Sequence, residues 1–148
     1  QNLPALRVPE ASIGASILVS KPYVDMESFL EFDGNVDEVK EQLLKELKSL
    51  GGNNVATTTK RILTYLMEDR VAQNYSWVGN KGKSKFRDLN VTAVIKDAVR
   101  SNTIFAATQD EIEGVIKKWL QHAPCRLKQL QERITKKAEA ARDATDTS

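Results

Sequence analysis

Cysteine is nearly absent from this 148-residue chain: Cys125 stands alone. No disulfide can form within it, and an all-cysteine metal site is excluded. A reducing compartment is the simple expectation, so two glycosylation-type triplets, Asn74-Tyr75-Ser76 and Asn90-Val91-Thr92, are read as chance matches. His122 is the single histidine, which leaves no second imidazole for a metal pair or a proton relay. It lies close to Cys125, but Pro124 turns the chain between them and no acid or amide stands by. A thiol–imidazole nucleophile is therefore not expected. Long apolar runs are also missing. The stretch from Ile13 to Val19 is broken by Gly14 and Ser16 and falls far short of the roughly 18 residues that span a bilayer. The first residues carry no basic-then-apolar leader pattern. The chain opens on Gln1 and not on Met, so a piece of a longer protein is expected, with any targeting signal outside it. These absences lead us to expect no enzyme, no cofactor, no metal and no membrane partner.

What is present is an ordinary globular balance, 41% hydrophobic and 28% charged, enough to fill one core. The net charge of +2 hides an asymmetry. Residues 1–59 carry −4, residues 60–137 carry +8 and residues 138–148 carry −2. A basic middle in a near-neutral chain gives a local positive field. Residues 1–24, with Pro4, Pro9, Gly14 and Pro22, lack helical periodicity. They read as an arm, either disordered or docked on a groove of this or another chain. Residues 25–137 read as a helical domain and residues 138–148 as a flexible tail.

Within the domain the apolar spacing is helical almost throughout. A short helix over 25–32 carries Met26, Phe29 and Leu30 and ends at Asp33-Gly34. Asn35 with Glu38 forms a capping-box pattern before Val36, Val39, Leu43, Leu44, Leu47 and Leu50, and Gly51-Gly52 stops that helix. Asn53 or Asn54 opens the next, with Val55, Ile62, Leu63, Leu66, Met67 and Val71 as its core stripe. It ends or bends between Glu68 and Asn74. A further helix carries Val91, Val94, Ile95, Ala98 and Val99. Thr108 with Glu111 makes the clearest capping box, opening a helix that buries Ile112, Val115, Ile116, Trp119 and Leu120. Pro124 suits the first turn of a last helix. There Leu127, Leu130 and Ile134 hold coiled-coil spacing for only about two turns.

The segment from Tyr75 to Arg87 breaks the pattern. Gly79, Asn80 and Gly82 exclude a regular helix, and Lys81, Lys83, Lys85 and Arg87 crowd into seven residues. Lys60, Arg61, Lys96 and Arg100 lie on the flanking helices. The glycines let backbone amides approach phosphate oxygens, and neutralised phosphates give affinity through counterion release. Gly82-Lys83-Ser84 resembles the end of a nucleotide-binding P-loop, but that motif needs glycine at position 77, where Trp77 stands. Glu111 and Glu113 fall two apart and face different sides of a helix, so they are no acid–base pair. Tyr75, Trp77 and Phe86 are expected to anchor the loop to the core, although Tyr75 and Trp77 could instead stack on bases.

A Leu50-Gly51-Gly52 turn is followed by Arg61-Ile62-Leu63, Tyr75-Ser76-Trp77-Val78-Gly79-Asn80-Lys81-Gly82-Lys83, Phe86-Arg87-Asp88-Leu89, Val94-Ile95-Lys96-Asp97-Ala98-Val99-Arg100, Ala107-Thr108, Glu111-Ile112-Glu113 and Trp119-Leu120-Gln121-His122-Ala123-Pro124. On that pattern the stretch from Ile62 to Arg126 resembles an uncharacterised helical domain of insect and fish proteins, some linked to mobile elements. More distantly, the order of elements is similar to the BEN domain, a helical module of chromatin factors and transposon-related proteins. That resemblance implies DNA contact through Lys81, Lys83, Lys85 and Arg87, and through Lys117, Lys118 and Arg126 further on. It also implies a nuclear setting in chromatin or transcription. The expectation is an all-α, BEN-like domain of five or six helices with an extended N-terminal arm, binding DNA without catalysis. The alternative is a protein-interaction or self-association module using Leu127, Leu130 and Ile134.

Overall fold

The computed structural model describes the backbone over residues 17–146 and the side chains over residues 17–142. The arm before residue 17 and the last two residues lie outside the described residues. The fold is all-α. Helices α1 (Met26–Gly34), α2 (Lys40–Lys48), α3 (Val55–Leu66), α4 (Asp69–Ala72), α5 (Asn90–Arg100), α6 (Gln109–Gln121) and α7 (Ala123–Asp146) are joined by turns and by one two-stranded parallel sheet. Its strands are β1 (Tyr75–Ser76) and β2 (Ser84–Lys85).

The apolar stripes read from the sequence make the core. Leu43 and Leu47 of α2, Ile62, Leu63 and Leu66 of α3, Val91, Val94, Ile95 and Val99 of α5, and Ile112, Ile116 and Leu120 of α6 are all buried. Helix α3 packs on α6, α2 on α5, and α3 on α5. At the end where the basic loop emerges, aromatic rings replace aliphatics. Phe29 meets Tyr75 edge-on at 5.9 Å, and Tyr75 meets Phe86 edge-on at 5.5 Å. Such pairs contribute about 0.5–1.5 kcal/mol beyond their area burial.

Seven α-helices stand among the described residues, not five or six, because the expected third helix divides. Residues 17–24 run along α2 and α3. The Tyr23 amide donates to the Leu66 carbonyl at 2.9 Å, and the Glu68 amide donates to the Tyr23 carbonyl at 2.9 Å. That pairing holds Met67 extended, at φ −149° and ψ 148°, so α3 ends and α4 begins afresh. Glu46 fixes the same segment further back. Its carboxylate accepts the amides of Leu18 at 2.7 Å and Val19 at 2.9 Å and the Tyr65 hydroxyl at 2.7 Å. Burial, with Glu46 alongside, pushes the Tyr65 phenol well above its ordinary range.

Two expected helix ends are corrected. Asn35 does not open α2. Its side-chain amide turns back and donates to the Glu31 carbonyl at 2.9 Å, a local bond that competes with capping. A 3-10 turn over Val36–Glu38 intervenes, and α2 starts at Lys40. At the far end α2 stops at Lys48, before Gly51-Gly52, as Leu50 and Gly51 tighten into turns closed on the Leu47 and Lys48 carbonyls. The other starts stand as read. Asn54 accepts from the Thr57 amide at 2.8 Å, and Thr108 and Glu111 complete their reciprocal box.

Helix α5 begins without a local cap. Asp33, 57 residues earlier and only 7% exposed, supplies one: its carboxylate accepts the Asn90 amide at 3.1 Å and the Val91 amide at 2.8 Å. The C-terminus of α1 thus holds the N-terminus of α5, next to the end of the basic loop. Helix α7 packs on α4 and α6 near its start. Residues 128–142 are exposed along their whole length, and the sequence boundary at 137 falls inside this helix. No helix among the described residues is long and apolar enough to cross a membrane.

Candidate nucleic-acid interface

The loop between Tyr75 and Arg87 folds back on itself. Strand β1 pairs with β2 in the register Tyr75 to Ser84 and Ser76 to Lys85. The Ser84 amide donates to the Asn74 carbonyl at 2.9 Å, and the Arg87 amide donates to the Trp77 carbonyl at 3.2 Å. The Ser76 hydroxyl oxygen accepts the Asn80 amide at 2.7 Å. Tyr75 and Phe86 are buried at its two ends and tie the loop to the core, as the anchoring reading has it. Gly79 makes the fold-back possible. It sits at φ 83°, and a Cβ there would lie 2.8 Å from Lys85 Cγ and 3.1 Å from the Lys83 carbonyl oxygen.

Lys81, between Asn80 and Gly82, has φ 57°. A non-glycine residue in the left-handed region costs about 1 kcal/mol or more. The sequence thus holds a cation where glycine would sit without strain.

The loop and α6 together line an open cleft of about 510 Å³, to which the loop brings Trp77, Asn80, Lys81 and Lys83 and α6 brings Lys117 and Gln121. No Asp or Glu lines it. Ion pairs among the described residues are Arg70 to Glu68, Arg87 to Asp88, Lys96 to Glu113 and Arg126 to Asp69. Lys81, Lys83, Lys85, Lys117 and Lys118 take part in none of them, so their charge is not cancelled by a carboxylate in contact.

The other expected contact residues are placed differently. Lys85 is exposed on β2 with its aliphatic stem against Gly79. Arg87 is exposed and only loosely paired, at 3.9 Å from Asp88. Lys118 is exposed on α6 but does not line the cleft. Arg126 is committed within the fold. Its guanidinium lies 2.9 Å from Asp69 Oδ1 and 4.3 Å from the centre of the Trp119 ring, and so pins α7 to α4 and α6. On α7, Leu127 is partly buried, while Leu130 and Ile134 are 44% and 59% exposed.

Trp77 is half-buried and packs against the core. Lys96 Nζ stands 5.2 Å from the centre of its ring and 2.8 Å from Glu113 Oε2. The cation is held by the carboxylate and in turn holds the indole. Gln121 and Asn80 line the cleft although neither is among the contact residues expected from the sequence. Gln121 follows Lys117 by four, one turn along the same helix face, and that spacing was the available signal. Asn80 gave none beyond its place in the loop. Among the described residues no group of three or more His, Cys, Asp and Glu side chains could hold a metal ion. No family model, curated protein or solved structure matches this chain.

Proposed function

We propose that this chain is a non-enzymatic DNA-binding domain and that the cleft between the basic loop and α6 is its contact surface. The observation that carries the reading is the convergence of Lys81, Lys83 and Lys117 on one concave face with no carboxylate in its lining. Like charges held together raise the energy of the free protein, and a polyanion relieves that. The strained backbone at Lys81 fits a residue kept for its charge, since backbone strain of this kind concentrates at functional sites. Lys85 and Arg87 extend the positive surface along β2 and the turn after it. Lys118 adds a cation on the solvent side of α6. With the DNA reading goes the nuclear, chromatin- or transposon-linked setting that the BEN resemblance implies.

In this reading the lysines meet phosphates and set position, not sequence. Gel retardation on mixed-sequence DNA at low salt is the direct test. A shifted band that disappears as salt is raised is expected, and no retardation at the lowest salt defeats the proposal.

A second reading rests on a separate observation. Leu130 and Ile134 are exposed on a stretch of α7 with no buried residue, and such a stripe suits a second copy or another helix. Light scattering separates the two: a strict monomer at micromolar concentrations removes self-association and leaves DNA binding untouched.

A further inference from the structure

We infer that the cleft takes an unpaired base stacked on Trp77, which makes single-stranded nucleic acid, and not duplex, the preferred ligand. The inference rests on the nucleic-acid reading above and specifies its strand form. A duplex hides the π-faces of its bases against one another and offers only base edges and phosphates to a protein. Trp77 lines the cleft, and an aromatic ring there meets nothing it can stack on in a duplex. On a single strand every base has a free face, and stacking on aromatics is the recurring mode of binding.

Three further features fit an unpaired nucleotide. The cleft volume of about 510 Å³ falls in the range of about 300–1,000 Å³ typical of small-ligand pockets. Its lining mixes the Ser76 hydroxyl with the Asn80 and Gln121 amides, groups that both donate and accept hydrogen bonds and so suit a base edge. Lys81, Lys83 and Lys117 lie in the same lining, within reach of the phosphates on either side of a stacked base. The indole is also held in advance: it packs on the core, and Lys96, itself fixed by Glu113 and outside the cleft lining, stands over one ring face, so a base would stack on the other. A platform already ordered loses little entropy when it binds.

The experiment uses the full chain with a dT oligonucleotide of about 12 nucleotides, long enough for a site of this class, as the single strand and as its duplex with dA. Trp77 and Trp119 are the two tryptophans, and Trp119 is buried on α6 beneath Arg126. The wild type should bind the single strand more tightly than the duplex, with quenching of tryptophan emission. Trp77→Phe should keep most of the affinity and lose the quenching. Trp77→Ala should weaken single-strand binding by roughly five- to 150-fold, the range for one stacked base, with less than about a two-fold effect on the duplex.

Binding of the duplex at least as tightly as the single strand overturns the inference. So does quenching that persists in Trp77→Phe. If Trp77→Ala fails to melt cooperatively, the quenching comparison alone decides. Failure of both strand forms to bind the wild type brings down the DNA reading itself, and so separates that failure from this one.

Discussion

Replacing Asp33 with Ala should cost this domain about 3 kcal/mol of stability, although Asp33 lies in no apolar stripe and far from α5 in sequence. The carboxylate accepts the first two amides of α5, at 3.1 Å from Asn90 and 2.8 Å from Val91, and is 7% exposed. An ordinary exposed N-cap contributes about 0.5–2 kcal/mol. Hydrogen bonds to a charged group contribute about 1.5–3 kcal/mol each, and a buried donor left without a partner costs its desolvation. The two bonds share one carboxylate and do not add in full, which places the sum near the upper end of a single strong pair. For a chain of this length about 3 kcal/mol corresponds to a fall of roughly 6–12 °C in melting temperature. Asp33→Asn keeps an acceptor but loses the charge at the positive end of the helix, and should fall between wild type and Asp33→Ala. Thermal melts followed by circular dichroism read all three. A melting temperature for Asp33→Ala within about 2 °C of wild type would refute the reasoning, since it would mean that α5 needs no cap from α1.

Three other substitutions test the packing and the electrostatics of the fold. Gly52 has φ 152°, and a Cβ there would lie 2.8 Å from the Thr58 Cα and closer still to its hydroxyl. Gly52→Ala should therefore destabilise by about 2 kcal/mol or more in urea unfolding, whereas Gly34→Ala, with open space around it, should stay within about 0.5 kcal/mol of wild type. Burial, with Asp33's charge nearby, pushes the Tyr75 phenol from 10.0 up to about 12. The folded state keeps the proton that the unfolded chain releases near pH 10. The stability due to this difference is whole below about pH 10 and is lost as pH rises through about 12, at up to about 1.4 kcal/mol per pH unit. Urea midpoints over that window should fall less steeply for Tyr75→Phe than for wild type, and parallel curves would contradict the assignment.

Local rules carried most of the fold. Thr108 and Glu111, or Asn54 and Thr57, sit three apart and bond to one another without outside help, so a capped start can be read from a few letters. The stripes on α3, α5 and α6 are similarly local. What escaped was set by distant partners. Asp33 caps a helix 57 residues on, and Glu46 holds amides 28 and 27 residues back. Nothing in the spacing of either residue announces that. Asn35 failed as a cap because a nearer carbonyl, Glu31, was on offer. The helix break at Met67 comes from pairing with Tyr23 and not from a breaker residue. The loop cations stood out as a run, but their meeting with Lys117 across a cleft depends on how α6 packs, which no run of letters contains.

Lys81, Lys83 and Lys117 are proposed to act together on phosphates. The most direct test is the slope of log affinity against log salt for wild type and for the triple Lys→Ala variant. Each neutralised phosphate contributes about −0.7 on a single strand and about −0.9 on B-DNA. The triple variant, folded by its melt, should be flatter by about 2 to 3. An unchanged slope would mean that the nucleic acid is held elsewhere and that the cleft is not the interface.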